Sequence, residues 1–330
     1  SNGPIWPDYL EAVTALAIQN HAYGGASVAR LVGIEDAGVI AFVKEGGRYF
    51  VSGSLQDQVT TYLATTLASR PTAHPGETVY LIWAGAHDYV SKEPVTGLIT
   101  TFLNNLDSET GYRTVADETI TELARQVELL HAAGARRFLL LNLPDLGRTP
   151  IVLQNTTYES VRGRKSDAGR RLELARRLTA LSDYHNTELA KAIDRLNGKL
   201  PDSDILLVDS RRLTDSILEG RLFTDRDKAF DYGFALDPMQ RDLQHRERRL
   251  RVQQQCYSGA YLGSLNDDDT CPYAATTLFW DTIHPGTYAH CWQAYQVGQA
   301  MAAAGWLAPL PTPAKYRAFC RNFSQQDLQP

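Results

Sequence analysis

TVYLIWAGAHDYV, residues 78–90, decides how this chain is read. Its first part, TVYLIWAG (78–85), is a short apolar run rich in β-forming residues that ends in glycine. Such a run reads as a strand buried on both faces. The small residues Ala84, Gly85 and Ala86 are followed at once by His87 and Asp88, which puts two polar groups at the carboxyl end of a strand. Open α/β sheets form their sites at those ends. The plainer alternative is a strand-to-helix turn in which Asp88 caps the next helix.

Outward from this strand, helical and strand patterns alternate. Downstream, residues 114–133 form an amphipathic helix stopped by Gly134, and RRFLLLNLP (136–144) is a second buried strand ending in a turn. Residues 166–197 predict a long charged helix, unbroken or broken once, and DILLVDS (204–210) a third buried strand. A last helix covers 286–304 and stops at Gly305. Upstream, 8–19 is helical with Pro7 and Asp8 as start signals, and 54–69 is helical with Ser54 as N-cap. Buried strands alternating with amphipathic helices predict a parallel sheet with helices on both faces. Residues 220–275 break the pattern with polar, Arg-, Asp- and Tyr-rich sequence, and read as a long insertion near the end of a strand.

Composition narrows the function. The 330 residues carry a net charge of -5, with 43% hydrophobic and 22% charged residues. That is ordinary for a globular α/β chain and argues against a general nucleic-acid or anionic-membrane binder. No apolar run reaches the ~18 residues of a membrane-spanning helix. The Arg-rich run RDLQHRERRLR (241–251) reads as a solvated face rather than an anion site. All four cysteines (Cys256, Cys271, Cys291, Cys320) lie in the last quarter, with no C-x-x-C pair. A structural zinc site is therefore not expected. An even number in a loop-rich region fits two disulfides formed in an oxidising compartment. Sequence order favours Cys256–Cys271 and Cys291–Cys320 among the three pairings that four cysteines allow, and four buried thiols are the alternative.

Two more segments carry chemistry. In WDTIHPGTYAH (280–290), Asp281 lies three residues before His284 on a tight turn ahead of a helix, and Pro285 sits where a first turn tolerates proline. A carboxylate there can hold the imidazole Nδ1–H, leaving the other nitrogen to take a proton from a hydroxyl nucleophile. Alone, D-x-x-H is equally a capping Asp beside a surface His. A metal set of Asp281, His284 and His290 is disfavoured, because 284 and 290 do not share a helical face and no fourth ligand is apparent. In NHAYGGASVA (20–29), the Gly-Gly pair lets a ligand approach main-chain N–H groups, which can stabilise an oxyanion. A simple turn is the alternative.

These segments, in this order, resemble the sequence blocks of SGNH (GDSL) hydrolases. SNGPIWPDYL (1–10) is similar to the stretch after the nucleophile block, and NHAYGGAS to the block carrying the oxyanion-hole glycine, here Gly25. WAGAHDY resembles the Gly-x-Asn-Asp block. RFLLLNLPDLGRTP (137–150) resembles a stretch of the secreted lipase and esterase branch. FWDTIHPGTYAH resembles the last block, whose Asp and His map to Asp281 and His284. The resemblance runs from residue 1 to about 308 and is weakest over 150–275. It implies a flavodoxin-like three-layer α/β/α sandwich, with residues 1–330 as a single, N-terminally incomplete domain. It also implies a Ser-His-Asp ester hydrolase of secreted or extracytoplasmic location. No cofactor or metal is expected; the partner is a small-molecule, lipid or carbohydrate ester.

Two departures matter. The Gly-Asp-Ser-Leu-like turn with the nucleophile is absent, and no Gly-x-Ser-x-Gly elbow replaces it. Ser54 in GSLQDQV matches a non-catalytic stretch, and Ser1 as an N-terminal nucleophile aligns with an ordinary position. The expected nucleophile therefore lies upstream of Ser1, in a longer protein whose first strand would fill the sheet. The second departure is His87, where the family has an oxyanion-binding Asn. His87 either replaces that donor or marks a weakened or inactive binding protein. A carbohydrate acetylesterase is the other alternative.

Overall fold

The computed structural model describes residues 2–28, 53–69, 74–89, 109–150, 168–234, 255–257 and 270–326. Its strands are β1 (Val79–Ile82), β2 (Arg137–Leu141) and β3 (Asp204–Val208). Its helices are α1 (Trp6–Thr14), α2 (Leu55–Thr61), α3 (Ala86–Tyr89), α4 (Glu109–Ala132), α5 (Ala168–Lys199), α6 (Ser210–Glu219), α7 (Thr287–Ala303) and α8 (Pro313–Gln326). The chain divides into two compact units. One comprises Asn20–Leu143 with Ala180–Val208, and the other Ser1–Gln19, Pro144–Thr179 and Asp209–Pro330.

The first unit is built on the sheet. Its strands run parallel in the order β1-β2-β3, with Val79 opposite Arg137 and Arg137 opposite Asp204. Along β2, Phe138, Leu139, Leu140 and Leu141 are each no more than 2% exposed. Successive strand side chains point to opposite faces, so β2 is covered on both. Ile82, Phe138, Leu140 and Ile205 share one core with Ile120, Leu123 and Val127 of α4, and with Leu189, Ile193 and Leu196 of α5. Helix α4 begins at Glu109, earlier than its apolar pattern indicates, and ends before Gly134, whose φ of 102° only glycine adopts at low cost. Helix α5 is unbroken over 32 residues. Ser54 caps α2: its hydroxyl accepts from the Asp57 N–H (3.2 Å) while the Asp57 carboxylate accepts from the Ser54 N–H (2.9 Å).

The second unit is helical. Helix α1 starts before the expected Asp8, because the Asp8 carboxylate accepts from the Ile5 N–H (2.8 Å) as an N-terminal cap. It stops early at Ala15, whose φ of 56° is left-handed. Helix α7 is buried around most of its circumference, with the rings of Trp292 and Tyr295 packed against each other and against Tyr316 of α8. Cys291 of α7 is disulfide-bonded to Cys320 of α8, with Cα atoms 5.7 Å apart. Helices α6 and α8 fall outside the sequence expectation. Helix α6 carries its own signals, Asp209 accepting from the Arg212 N–H (3.0 Å) and Gly220 at φ 66° as C-cap. Of the insertion expected at 220–275, residues 235–254 and 258–269, including the Arg-rich run, lie outside the described residues.

The loop after β2 explains the NLPDLGRTP stretch. Asp145, 3% exposed, accepts from the Gly147 N–H (2.9 Å) and the Thr179 hydroxyl (2.8 Å), and pairs with Arg211 (3.2 Å). Arg148 and Arg211 both reach Asp215, at 2.9 and 3.1 Å. A buried carboxylate is tolerable only with such pairing and hydrogen bonding. A methyl on Gly147 would run into the backbone carbonyl of Ala175. Gly147→Ala should therefore destabilise the protein by about 3 kcal/mol or more, as overpacking against rigid backbone does, read as a shift in the urea midpoint.

Candidate functional site

The turn 280–284 is a loop closed by backbone bonds. The Trp280 N–H donates to the His284 carbonyl and the Gly286 N–H to the Leu278 carbonyl, both at 2.9 Å. Residues 255–257 lie alongside: the Cys256 N–H donates to the Phe279 carbonyl (3.1 Å) and the Tyr257 N–H to the Trp280 carbonyl (2.7 Å). Cys256 is disulfide-bonded to Cys271, with Cα atoms 4.8 Å apart, and the Tyr257 ring stacks on Trp280 at 5.1 Å. Gly286 is required here, because a Cβ would lie 2.7 Å from the Thr277 carbonyl oxygen.

Within this frame the structure brings Asp281 and His284 together. Asp281 Oδ1 accepts from the N–H groups of Ile283 (2.7 Å) and His284 (2.8 Å). Asp281 Oδ2 lies 2.7 Å from His284 Nδ1. The His284 side chain is 35% exposed, against 18% for Asp281. With Nδ1 taken by the carboxylate, Nε2 is the nitrogen through which the ring can exchange protons.

Helix α7 starts right after this turn, and its cap comes from far away. Gly286 offers no side chain, and Asn2 Oδ1 accepts from the Thr287 N–H (2.9 Å). Asn2 Nδ2 donates to the Ala274 carbonyl (2.7 Å), the Thr287 hydroxyl donates to the Pro4 carbonyl (2.9 Å), and the Tyr9 hydroxyl is 2.7 Å from Thr287 Oγ1. Sequence reading misses Asn2 and Thr287 in this role, since nothing local marks a partner 285 residues away.

Gly25 and His87 belong to the other unit. Gly25 has φ 85°, in a turn where the Ala26 N–H donates to the Tyr23 carbonyl (3.4 Å). His87 lies in α3, half-buried. Asp88 joins the two segments: its carboxylate accepts from the Val28 N–H, with oxygens at 3.0 and 3.2 Å. Burial pushes the Asp88 carboxyl up to about 7, against the lowering effect of the Val28 N–H.

Two histidines are held neutral by burial. His185, which bonds the Tyr89 hydroxyl through Nδ1 (2.7 Å), is pushed down to about 3. His290 is also pushed down to about 3, chiefly by burial, and among the described residues its buried Nδ1 has no hydrogen-bond partner. Among the described residues, no three His, Cys, Asp or Glu side chains are disposed to hold a metal ion. No described helix is long and apolar enough to cross a membrane.

The family model of GDSL-like lipases and acylhydrolases matches residues 1–297. The chain belongs to that family. Among curated relatives it is 26% identical over 202 residues to an acetylesterase of Thermothelomyces thermophilus, covering 59% of this chain and 58% of that protein. It is 24% identical over 256 residues to a GDSL esterase/lipase of Arabidopsis thaliana, covering 74% and 59%. It is 27% identical over 163 residues to a phosphatidylcholine-sterol acyltransferase of Aeromonas hydrophila, covering 48% and 39%. The chain thus spans less than two thirds of the length of each of these relatives.

Asp88 gives a signed pH prediction. Below pH about 4 the carboxyl is protonated in both the folded and the unfolded chain. Between about 4 and about 7 the unfolded chain ionises first, so stability falls as pH rises. A tenfold difference in proton affinity between the two states corresponds to about 1.4 kcal/mol, so the full cost above pH 7 is on the order of a few kcal/mol. Asp88→Asn keeps an acceptor and removes that cost, so its melting temperature should exceed wild type at pH 8 and match it at pH 4.

Proposed function

We propose that this chain belongs to a carboxylic-ester hydrolase that works through a serine, His284 and Asp281, the serine lying upstream of Ser1. The observation that carries the reading is the 2.7 Å contact between Asp281 Oδ2 and His284 Nδ1 on a turn locked by two backbone N–H bonds to the same carboxylate. It fixes the tautomer that leaves Nε2 as general base toward a hydroxyl, and then as general acid toward the departing alcohol. Asp281 orients the ring and offsets the charge of the imidazolium. The Gly25 N–H, His87 and the nucleophile's own N–H are assigned to the oxyanion; the first two rest on their places in the family's blocks. The fold of such an enzyme is a three-layer α/β/α sandwich, which the burial of β2 on both faces supports.

The substrates are lipid or short-chain acyl esters, and the enzyme acts outside the cytoplasm, in keeping with both disulfides. A carbohydrate acetylesterase is the second reading, favoured by the relative named an acetylesterase. His87 in place of the family's Asn favours a third, a catalytically inactive binding protein.

A fluorophosphonate should label one serine upstream of Ser1 in the product of the complete source gene, located by peptide mapping. His284→Ala should abolish labelling and turnover, and Asp281→Asn should lower kcat by about 10³–10⁴. A well-folded protein that takes no label would end the enzyme reading.

A further inference from the structure

The Asp88 side chain is half-buried, and its carboxylate accepts from the backbone N–H of Val28. Desolvation disfavours its ionised form, so a carboxylate held this way costs the fold stability once it is charged. A neutral Asn would accept the same Val28 N–H without that cost. Residues that lower stability without improving packing are found where function needs them. The position of Asp88 points to what that need is.

Val28 stands three residues beyond Gly25 and is fixed from several sides. Its side chain is fully buried in the sheet core beside Leu55, Val59 and Ile82. The first N–H groups of α2 donate to this stretch, Leu55 N to the Ser27 carbonyl (2.9 Å) and Gln56 N to the Val28 carbonyl (3.3 Å). The Val28 N–H, on the side toward Gly25, is taken by Asp88. Asp88 adjoins His87 in the same short helix, and that helix is itself placed by the strand end. The Asp88 N–H donates to the Gly85 carbonyl (3.2 Å), and the Trp83 indole donates to the Asn142 carbonyl (3.1 Å). Asp88 is thus a side chain through which the loop of Gly25 is hydrogen-bonded to the segment of His87, Val28 and Asp88 being 60 positions apart in the sequence.

We infer that Asp88 is a positioning residue for the oxyanion donors: by holding the Val28 N–H it sets the distance between the Gly25 loop and His87. The inference rests on the reading of Gly25 and His87 as those donors. A donor displaced by even ~1 Å is worth little to a developing oxyanion, because such groups act only when already in place.

The test uses the product of the complete source gene with p-nitrophenyl acetate. Asp88→Ala and Asp88→Leu, the second keeping a branched side chain but no acceptor, should lower kcat by about tenfold to a hundredfold, with KM changed less than about twofold. Their melting temperatures at pH 8 should not fall below wild type, so activity is lost without stability. Asp88→Asn should return kcat to within about threefold of wild type, because its amide oxygen still accepts from Val28. Wild-type kcat in the Ala and Leu variants, an Asn variant as impaired as they are, or unfolding of both would each overturn the inference. His284→Ala separates the two levels. If that variant still turns over ester, the hydrolase reading has failed and the role of Asp88 with it. If it is dead while the Ala and Leu variants are fully active, the inference about Asp88 alone has failed.

Discussion

One carboxylate organises the candidate site. Asp281 accepts from two backbone N–H groups of its own turn and from the imidazole of His284. The two backbone bonds make the turn, and the third orients the ring that the turn presents. Fixing a side chain and its support with one group avoids the entropy of ordering two separate elements. It also makes the geometry depend on what holds the turn closed. Those supports are the Trp280–His284 and Gly286–Leu278 backbone bonds, the neighbouring residues 255–257, and the Cys256–Cys271 disulfide.

Buried ionisable groups impose opposite demands on the molecule. His185 and His290 are neutral when folded and take protons more readily when unfolded, so they weaken the fold as pH drops from about 6.5 toward 3. Asp88 acts the other way, lowering stability as pH rises toward about 7. His185 is bonded to Tyr89, one residue from Asp88, so groups of both kinds are built around α3. Helix α3 follows the end of β1 by only a few residues, where a parallel sheet places polar groups. Asp88 and His185 therefore gather at the end of the sheet rather than in the body of its core, which is lined by hydrocarbon side chains.

How much of this the sequence discloses depends on the range of the interactions. Strand β2 is legible because its burial on both faces writes itself as an unbroken apolar run, Phe138 to Leu141. Ser54 is legible because its partner Asp57 is three residues on, and the Asp281–His284 pair for the same reason. Helix α6 is bracketed by signals, Asp209 and Gly220, but it is short and sits between the strand expected at 204–210 and the polar stretch from 220, neither of which announces a helix. The ends of α1 lie away from their expected places because Asp8 caps from inside the helix and Ala15, a good helix former, turns left-handed. Asp88 invites a reading as a local helix cap, while its carboxylate serves a residue far back along the chain. No periodicity encodes that contact.

The same distinction of range applies to the N-terminal segment. Thr287 follows the His284 turn by three residues, and its N–H and hydroxyl are spent on Asn2 and Pro4 rather than on its own helix. A helix that begins with Gly-Thr after a Pro has no side chain at its N-cap position, and one of its first N–H groups needs an outside acceptor. Asn2 supplies that acceptor, while its amide is held by the Ala274 carbonyl and Tyr9 closes the other side of Thr287. The cost of leaving α7 without a cap of its own is thereby turned into a tie between the first described residues and the turn that carries His284.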